Sequence, residues 1–279
     1  MNEVDPLPPA APAHAAVAFI GGGNMASALI GGLVDAGRAP ASIFVVEPAA
    51  GQRESLAQRF GVAPLAAADA RLAQAGLVVW AVKPQQFRDA AAPCRPHVGA
   101  ALQLSVMAGV RSRTIADASG SERVVRAMPN TPALIGAGIA GLYARPAVGG
   151  NERALVESVL APTGQLLWVD READLDAVTA LSGSGPAYVY YFLEAMIEAG
   201  VGMGLGADAA RRLALQTFAG AAALAARSDE PPERLRDRVT SKGGTTEAAL
   251  GVLEVEGVKA AFVRAMQAAR RRAEELGAG

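Results

Sequence analysis

The sequence predicts an α/β protein, with a Rossmann-type, doubly wound, mostly parallel sheet followed by an all-helical C-terminal domain. Short apolar runs alternate with helical stretches from residue 17 to about residue 170, which is typical of a parallel sheet covered on both faces. A glycine-rich hexapeptide directly follows the first apolar run. Beyond residue 171 the strand signal disappears, and apolar residues recur at three- and four-residue spacing. We therefore predict a disordered tail over 1–16, a dinucleotide-binding domain over 17–170 and a helical substrate-binding and dimerisation domain over 171–279.

Each predicted strand corresponds to a short apolar run, and each predicted helix within 17–170 to a longer stretch between such runs. Strands are predicted at 17–20, 42–47, 77–82, 101–106, 122–128, 138–144 and 164–170. Helices are predicted after the glycine-rich segment and at 51–61, 111–119 and 151–161, and a polar helical stretch is expected before the strand at 77–82. The remainder of the chain reads as a succession of alanine-rich helices. Their apolar surface exceeds what a bundle of this size needs for its own core, which favours a dimer interface.

Composition excludes several classes of function. The 279 residues carry a net charge of −1, whereas nucleic-acid binding needs a clear basic excess. Cys94 is the only cysteine, and His14 and His97 are the only histidines, so we expect no disulfide, no metal site and no histidine-based triad. No run approaches the roughly 20 apolar residues of a membrane span, and we expect a cytoplasmic protein with no membrane partner.

The glycine-rich hexapeptide predicts a dinucleotide site. Gly21, Gly22, Gly23, Asn24, Met25 and Ala26 match the pattern G-x-G-x-x-G/A between a strand and a helix. Gly21 permits the tight turn, Gly23 lets the backbone approach a pyrophosphate, and Ala26 is small enough for close packing of helix on strand. The free amides of the helix N-terminus then bind the anion.

Glu47 closes the second predicted strand and is the candidate ligand of the adenosine ribose. A carboxylate at this position accepts hydrogen bonds from the ribose hydroxyls and repels a 2′-phosphate, which favours NADH over NADPH. Arg53, six residues further on, offers a cation to that same phosphate. NADH and NADPH therefore both stay open as cofactor, and a solvated charge at a strand end is the alternative for Glu47.

Two further segments follow predicted strands, at the edge of the sheet where ligands bind in open α/β folds. Lys83 brings a cation there, and Pro84 ends the strand and starts the next helix. Asn130 lies in a loop between Pro129 and Pro132 and presents an amide that can donate and accept hydrogen bonds. A rigid loop without a ligand is the alternative for both segments.

Two segments of the C-terminal half combine hydroxyl side chains with glycines. Residues 182–186 read SGSGP and precede a long helix, and residues 241–246 read SKGGTT and precede another. Exposed backbone amides and hydroxyl groups together form a nest for a carboxylate. Simple helix capping is the alternative, although it needs only one serine or threonine.

With these motifs in this order and spacing, the chain resembles the pyrroline-5-carboxylate reductases. The resemblance rests on GGGNMA, AVKPQ, RAMPNTPA, DAVTALSGSGPAY and VTSKGGTTEAAL and covers residues 17 to about 275. It implies reduction of 1-pyrroline-5-carboxylate to L-proline with NADPH or NADH, the last step of proline biosynthesis. It also implies a homodimer that interlocks through the helical domains and often assembles further into a decamer.

The resemblance also implies roles for individual residues. Val82, Lys83 and Ala108 line the dinucleotide, and Glu172 matches an acidic residue near the substrate. In the substrate loop, backbone amides and hydroxyls hold the substrate carboxylate, and Thr246 contacts the ring nitrogen as the catalytic residue. This loop comprises Ser241, Gly243, Gly244, Thr245 and Thr246. The chain departs from the family pattern at Lys242, where proline is usual, and at Ala68, where an asparagine usually contacts the cofactor.

The implied chemistry fits a chain with few histidines. A cyclic imine is basic enough to be protonated in water, so the enzyme must mainly hold the iminium carbon near the nicotinamide and anchor the carboxylate. Two other classes stay open: another small-substrate reductase with the same plan, such as a 3-hydroxyacid dehydrogenase, and a non-catalytic NAD(P)-binding regulator. The first uses a G-x-x-x-K-x-x-N helix motif, which does not occur after residue 170. The second binds dinucleotide but consumes none when offered the imine.

Overall fold

The computed structural model describes residues 16–278, and the predicted tail lies outside this range except for Ala16, which begins the first strand. The described residues contain seven strands: β1 Ala16–Ile20, β2 Ile43–Val46, β3 Ala75–Trp80, β4 Leu102–Ser105, β5 Val124–Met128, β6 Gly138–Ala144 and β7 Gly164–Trp168. They form one sheet in the order β2-β1-β3-β4-β5-β6-β7. Every neighbouring pair is parallel except β5 with β6. The predicted doubly wound, mostly parallel sheet is confirmed.

Helices follow most strands of this sheet. They are α1 Asn24–Asp35, α2 Ala50–Phe60, α3 Phe87–Val98, α4 Ser112–Ser119 and α5 Gly150–Leu160. The polar stretch before β3 is not the predicted helix. Leu65 instead pairs with β2, since its N–H donates to Val45 O at 2.7 Å and its carbonyl accepts from Glu47 N at 2.9 Å. Only a 3₁₀ turn at Ala70–Gln74 remains of the expected helix.

The core lies on both faces of the sheet. Val17 and Phe19 of β1 belong to one buried apolar cluster, whereas Ala18 and Ile20 belong to the other. Successive side chains of a strand point to opposite faces, so only a strand covered on both sides is apolar throughout. This is the physical reason why the continuous apolar runs of the sequence identify the strands correctly.

The helical part of the chain contains α6 Asp174–Val178, α7 Gly185–Gly202, α8 Ala207–Ala226, α9 Pro232–Arg238, α10 Thr245–Val255 and α11 Val258–Ala278. The described residues divide into two compact units: Ser184–Ala269 forms one, and residues 16–183 together with 270–278 form the other. The division follows Gly183 rather than the predicted residue 170. One reason is that α6 packs on the sheet, where Val178 lies so close to β6 that a Cβ on Gly141 would meet it at 2.7 Å.

No helix among residues 16–278 is long and apolar enough to cross a membrane. The described residues also include no group of three or more His, Cys, Asp or Glu side chains placed to hold a metal ion. Of the two histidines, His97 lies in the last turn of α3, and His14 lies outside the described residues.

Candidate functional site

The carboxyl ends of the first three strands meet at one point of the sheet. Gly21 N donates to Val46 O of β2 at 2.8 Å, and Ala81 N donates to Ile20 O of β1 at 2.9 Å. Because β2 lies on one side of β1 and β3 on the other, the chain winds in opposite directions from this point. Ligands of open α/β sheets bind in the crevice at such a switch point.

The glycine-rich turn lies directly on this switch point. Gly21 has φ +96°, and a Cβ there would approach Ala81 O to 2.6 Å, so only glycine fits. Gly23 is the N-cap of α1 with an extended backbone, and nothing lies within 4 Å of the place of its Cβ. A ligand can therefore come close to the backbone at Gly23 and reach the amides of the first turn of α1, which have no acceptor within the helix. The turn therefore fits a dinucleotide pyrophosphate.

The other predicted members of this turn have separate tasks. Ala26 is fully buried, which is the close packing expected of the small third position. Met25 is half-buried against the core, and Asn24 is exposed at the start of α1. Ser27 adds a hydrogen bond from its backbone N–H to Gly23 O at 2.8 Å, which completes the first turn.

Glu47 points back at the glycine-rich turn. Its Oε2 accepts from Gly22 N at 2.9 Å, and its Oε1 accepts from Ala49 N at 2.9 Å. The amide of Gln52 donates to Gly22 O on the other side of the same turn. Arg53 uses one guanidinium nitrogen to donate to Glu47 O at 3.0 Å and to Pro48 O at 2.6 Å. The Glu47 carboxylate is thus held in place between two backbone amides.

The residues after β3 and β4 lie near the same edge of the sheet. Val82 is half-buried, and Lys83 is exposed and precedes a 3₁₀ turn that Pro84 begins. Pro84 and Ala108 line a cavity of about 310 Å³ together with Arg88, among other residues. This cavity lies within the first compact unit, and the contact of Pro84 and Ala108 with the dinucleotide stays a prediction.

Asn130 uses both ends of its amide within the protein. Its Nδ2 donates to Ser182 O at 3.2 Å, and its Oδ1 accepts from Ile139 N at 3.0 Å. The side chain therefore ties the loop after β5 to β6 and to the segment that precedes α7. Its predicted contact with the cofactor stays a prediction.

Glu172 is the centre of a partly buried ion cluster that links β5, α4 and the start of α6. Its carboxylate accepts from Ser112 N at 2.6 Å, Ser112 Oγ at 2.7 Å and Arg126 at 2.8 Å. Beside this cluster Arg111 pairs with the buried Asp176 at 2.8 Å. Burial alone raises the pKa of Glu172, but the hydrogen bonds from Ser112 and Arg126 outweigh it and hold the pKa below its usual value. Burial lowers the pKa of Arg126, and Glu172 opposes that change.

The predicted substrate loop lies in the second compact unit. Gly243 has φ +73°, and Gly244 N donates to Ser241 O at 3.0 Å, so the chain turns tightly into α10. Thr245 and Thr246 are the first two residues of that helix. The N–H of Gly243 donates to the carboxylate of Glu247 at 2.6 Å. The turn therefore presents an amide that a carboxylate of the same chain accepts from, and its predicted contact with the substrate stays a prediction.

Sequence reasoning did not identify three residues that organise these sites. Gln52 supports the glycine-rich turn, Glu247 meets the substrate loop, and Arg126 pairs with Glu172. A signal existed only for Arg126, because an arginine inside a buried apolar strand requires a partner. Gln52 and Glu247 lie on helices where polar residues are ordinary.

A mostly parallel sheet with a glycine-rich turn and a fixed carboxylate at its switch point is typical of dinucleotide-binding proteins, among which are the nicotinamide-dependent oxidoreductases. Family models agree with this class. One described as an NADP oxidoreductase, coenzyme F420-dependent, matches residues 16–109, and one described as pyrroline-5-carboxylate reductase dimerisation matches residues 172–276. A pyrroline-5-carboxylate reductase from Pseudomonas aeruginosa is 42% identical over 93% of this chain and 96% of its own length. The chain belongs to the pyrroline-5-carboxylate reductase family.

Solved structures agree with this assignment. A pyrroline-5-carboxylate reductase from Coxiella burnetii is 36% identical with a TM-score of 0.86, over 94% of this chain and 98% of its own. The pyrroline carboxylate reductase from Plasmodium falciparum, solved with NADP bound, is 30% identical with a TM-score of 0.84 over the same shares. The reductase function and the NAD(P)H cofactor expected from the sequence are thereby confirmed.

Proposed function

We propose that this chain reduces 1-pyrroline-5-carboxylate to L-proline with a hydride from NAD(P)H, as the last step of proline biosynthesis. The observation that carries the proposal is the turn at residues 241–246, where the N–H of Gly243 donates to the side-chain carboxylate of Glu247 at 2.6 Å. The substrate has one carboxylate and one imine, and this turn offers an amide nest followed at once by two threonine hydroxyls. A carboxylate anchor next to a hydrogen-bonding hydroxyl is what the chemistry of a cyclic imino acid requires.

The residues of the loop divide the work between binding and orientation. The amides of Gly243 and Gly244, with Ser241 and Thr245, hold the carboxylate, and Glu247 must release Gly243 N–H when the substrate binds. Thr246 hydrogen-bonds the ring nitrogen, which is protonated in solution, so the protein needs no strong acid. NAD(P)H supplies the hydride when bound. Orientation of this kind contributes roughly 7–11 kcal/mol to lowering a barrier.

The dinucleotide is held by the first compact unit. The amides at the start of α1, which include those of Asn24 and Met25, take the pyrophosphate beside Gly23. Glu47 takes the ribose, and Lys83 adds a cation at the end of the third strand. We propose Val82, Pro84, Ala108 and Asn130 as the remaining contacts. We propose that Glu172 lies near the substrate, and its hydrogen bonds with Ser112 and Arg126 make that role testable by substitution.

We propose that the active form is a homodimer through the helical domain, with assembly to a decamer, in the cytoplasm. Large apolar side chains of the second unit support this proposal, since Tyr191 of α7, Leu224 of α8 and Val255 of α10 are 69%, 63% and 86% exposed. Monomeric proteins rarely expose so much apolar surface. Sedimentation velocity over a range of protein concentrations distinguishes a dimer from a decamer. A monomer at micromolar concentration contradicts the proposal.

One assay tests the reaction. Purified protein is mixed with 1-pyrroline-5-carboxylate and NADH or NADPH, and oxidation of the nicotinamide and formation of proline are measured together. We expect stoichiometric conversion. Dinucleotide binding without consumption of either cofactor identifies a non-catalytic NAD(P)-binding protein instead. The variant Gly23→Val is the control, because it removes cofactor binding while residues 241–246 stay intact.

A further inference from the structure

The Glu47 carboxylate is fixed at the point where the adenosine ribose of a dinucleotide is expected, so its orientation bears on the choice between NADH and NADPH. The stem of this side chain packs on the glycine-rich turn, since a Cβ on Gly22 would lie 3.3 Å from Cβ and Cγ of Glu47. Both carboxylate oxygens are held by backbone amides, those of Gly22 and Ala49, at 2.9 Å each. The carboxylate is half-buried and is oriented before any ligand arrives.

Such a carboxylate cannot easily move away from an incoming phosphate. Rotation of the Glu47 side chain would break two hydrogen bonds and leave the N–H of the buried residue Gly22 without its acceptor. Each carboxylate oxygen has a second acceptor position beyond the one that an amide uses. The hydroxyls of an unmodified ribose can donate to these positions, whereas a 2′-phosphate brings more negative charge to a negative group.

Arg53 of α2, six residues after Glu47, is already engaged with the backbone. Arg53 is half-buried, and one of its guanidinium nitrogens donates to the carbonyls of Glu47 and Pro48 at 3.0 and 2.6 Å. These two bonds bind the guanidinium to the backbone at the end of β2. Through this one nitrogen Arg53 stabilises the turn that carries Glu47.

We infer that Glu47 is the specificity-determining residue of the dinucleotide site and makes this chain select NADH over NADPH. Because the pyrophosphate and nicotinamide are common to both dinucleotides, the discrimination resides in the 2′ substituent. The inference depends on the dinucleotide site alone, so it stands or falls separately from the identity of the imine.

The test measures binding by calorimetry with the full chain, using NADH and NADPH at one fixed salt concentration. We expect the wild-type protein to bind NADH at least tenfold more tightly than NADPH. In Glu47→Gln, which keeps the size of the side chain and one acceptor oxygen, we expect the ratio of the two dissociation constants to shift at least tenfold towards NADPH. Glu54→Gln on the exposed side of α2 removes the same charge away from the turn, and its ratio should stay within twofold of wild type.

Arg53→Ala separates the two possible roles of the arginine. We expect it to change the affinities for NADH and NADPH by the same factor. A selective loss of NADPH affinity shows that Arg53 binds the 2′-phosphate and overturns the inference. Equal or tighter binding of NADPH by the wild-type protein also overturns it, and this measurement remains informative if Glu47→Gln does not fold. A tenfold NADH preference without consumption of pyrroline-5-carboxylate leaves the inference intact and contradicts only the proposed reaction.

Discussion

Replacement of Glu172 by glutamine separates a structural role of this residue from a role in substrate binding. In the structure its carboxylate accepts three hydrogen bonds, two from Ser112 and one from Arg126. The variant Glu172→Gln removes the charge and keeps one acceptor oxygen, but it turns an NH₂ group towards groups that are themselves donors. We therefore expect a large loss of stability in the first compact unit.

The structure sets the size of this loss. The side chain of Arg126 is 4% exposed and that of Glu172 is 22% exposed, so the substitution leaves a buried cation without its partner. Removal of one partner from a buried pair costs about 3–5 kcal/mol. Because the glutamine retains one acceptor and the site is partly open, we expect about 3 kcal/mol at neutral pH. For a unit of this size that lowers Tm by about 6–12 °C.

The assay is thermal and urea unfolding followed by circular dichroism at one fixed protein concentration. Asp174→Asn is the matched control, because Asp174 pairs with Arg171, whose side chain is 78% exposed, and surface pairs contribute only about 0–1 kcal/mol. If Glu172→Gln unfolds within about 0.5 kcal/mol of wild type and instead raises KM for the imine, the structural reasoning is wrong and the residue belongs to the substrate site.

The pH dependence provides a second readout. The pKa of Glu172 is lower in the folded protein than its usual value of 4.5, so the native state binds fewer protons there than the unfolded state. The stabilisation is complete above pH 4.5 and is lost as the pH falls through the folded value. Glu172→Gln lacks this component, so the difference in stability between the two proteins should narrow in acid. A constant difference across that range contradicts the assignment.

Three further predictions concern the sites themselves. Gly23→Val should abolish measurable dinucleotide binding in calorimetry without loss of Tm, whereas Gly21→Ala should destabilise the fold by about 1–3 kcal/mol because of its positive φ; equal effects on Tm contradict the distinction. Thr246→Ala should lower kcat/KM for the imine about 10–100-fold, the scale of one hydrogen bond to a charged group, and leave NADH affinity unchanged, while Thr246→Ser retains most activity. If alanine is as active as threonine, the hydroxyl only caps α10. Burial raises the pKa of Cys94 to about 11, so its thiol should react with a disulfide reagent at pH 8 only after unfolding, and fast reaction of the native protein refutes this placement.

Local sequence determined the elements and the chemistry of the turns. The strands and most helices were predicted within a few residues, because burial on both faces makes a strand apolar throughout and a helix repeats its apolar residues every three to four positions. The glycine-rich turn was predictable for a similar reason, since Gly21 has a backbone conformation that other residues rarely adopt. The helix predicted before β3 was wrong because Leu65 pairs with β2, and that pairing depends on a distant strand.

The tertiary structure alone decided which side chains meet. Glu172 and Arg126 are 46 residues apart in the chain, and Gly22 and Glu47 are 25 apart, so no local period relates the members of either pair. Their contacts follow from the strand order, which places β2 and β3 on opposite sides of β1 and reverses β6 beside β5. Sequence patterns report burial at each position, but strand order depends on the packing energy of the whole sheet. The sequence by itself therefore determined that a carboxylate stands at the end of β2, and only the fold determined that this carboxylate is held against the glycine-rich turn.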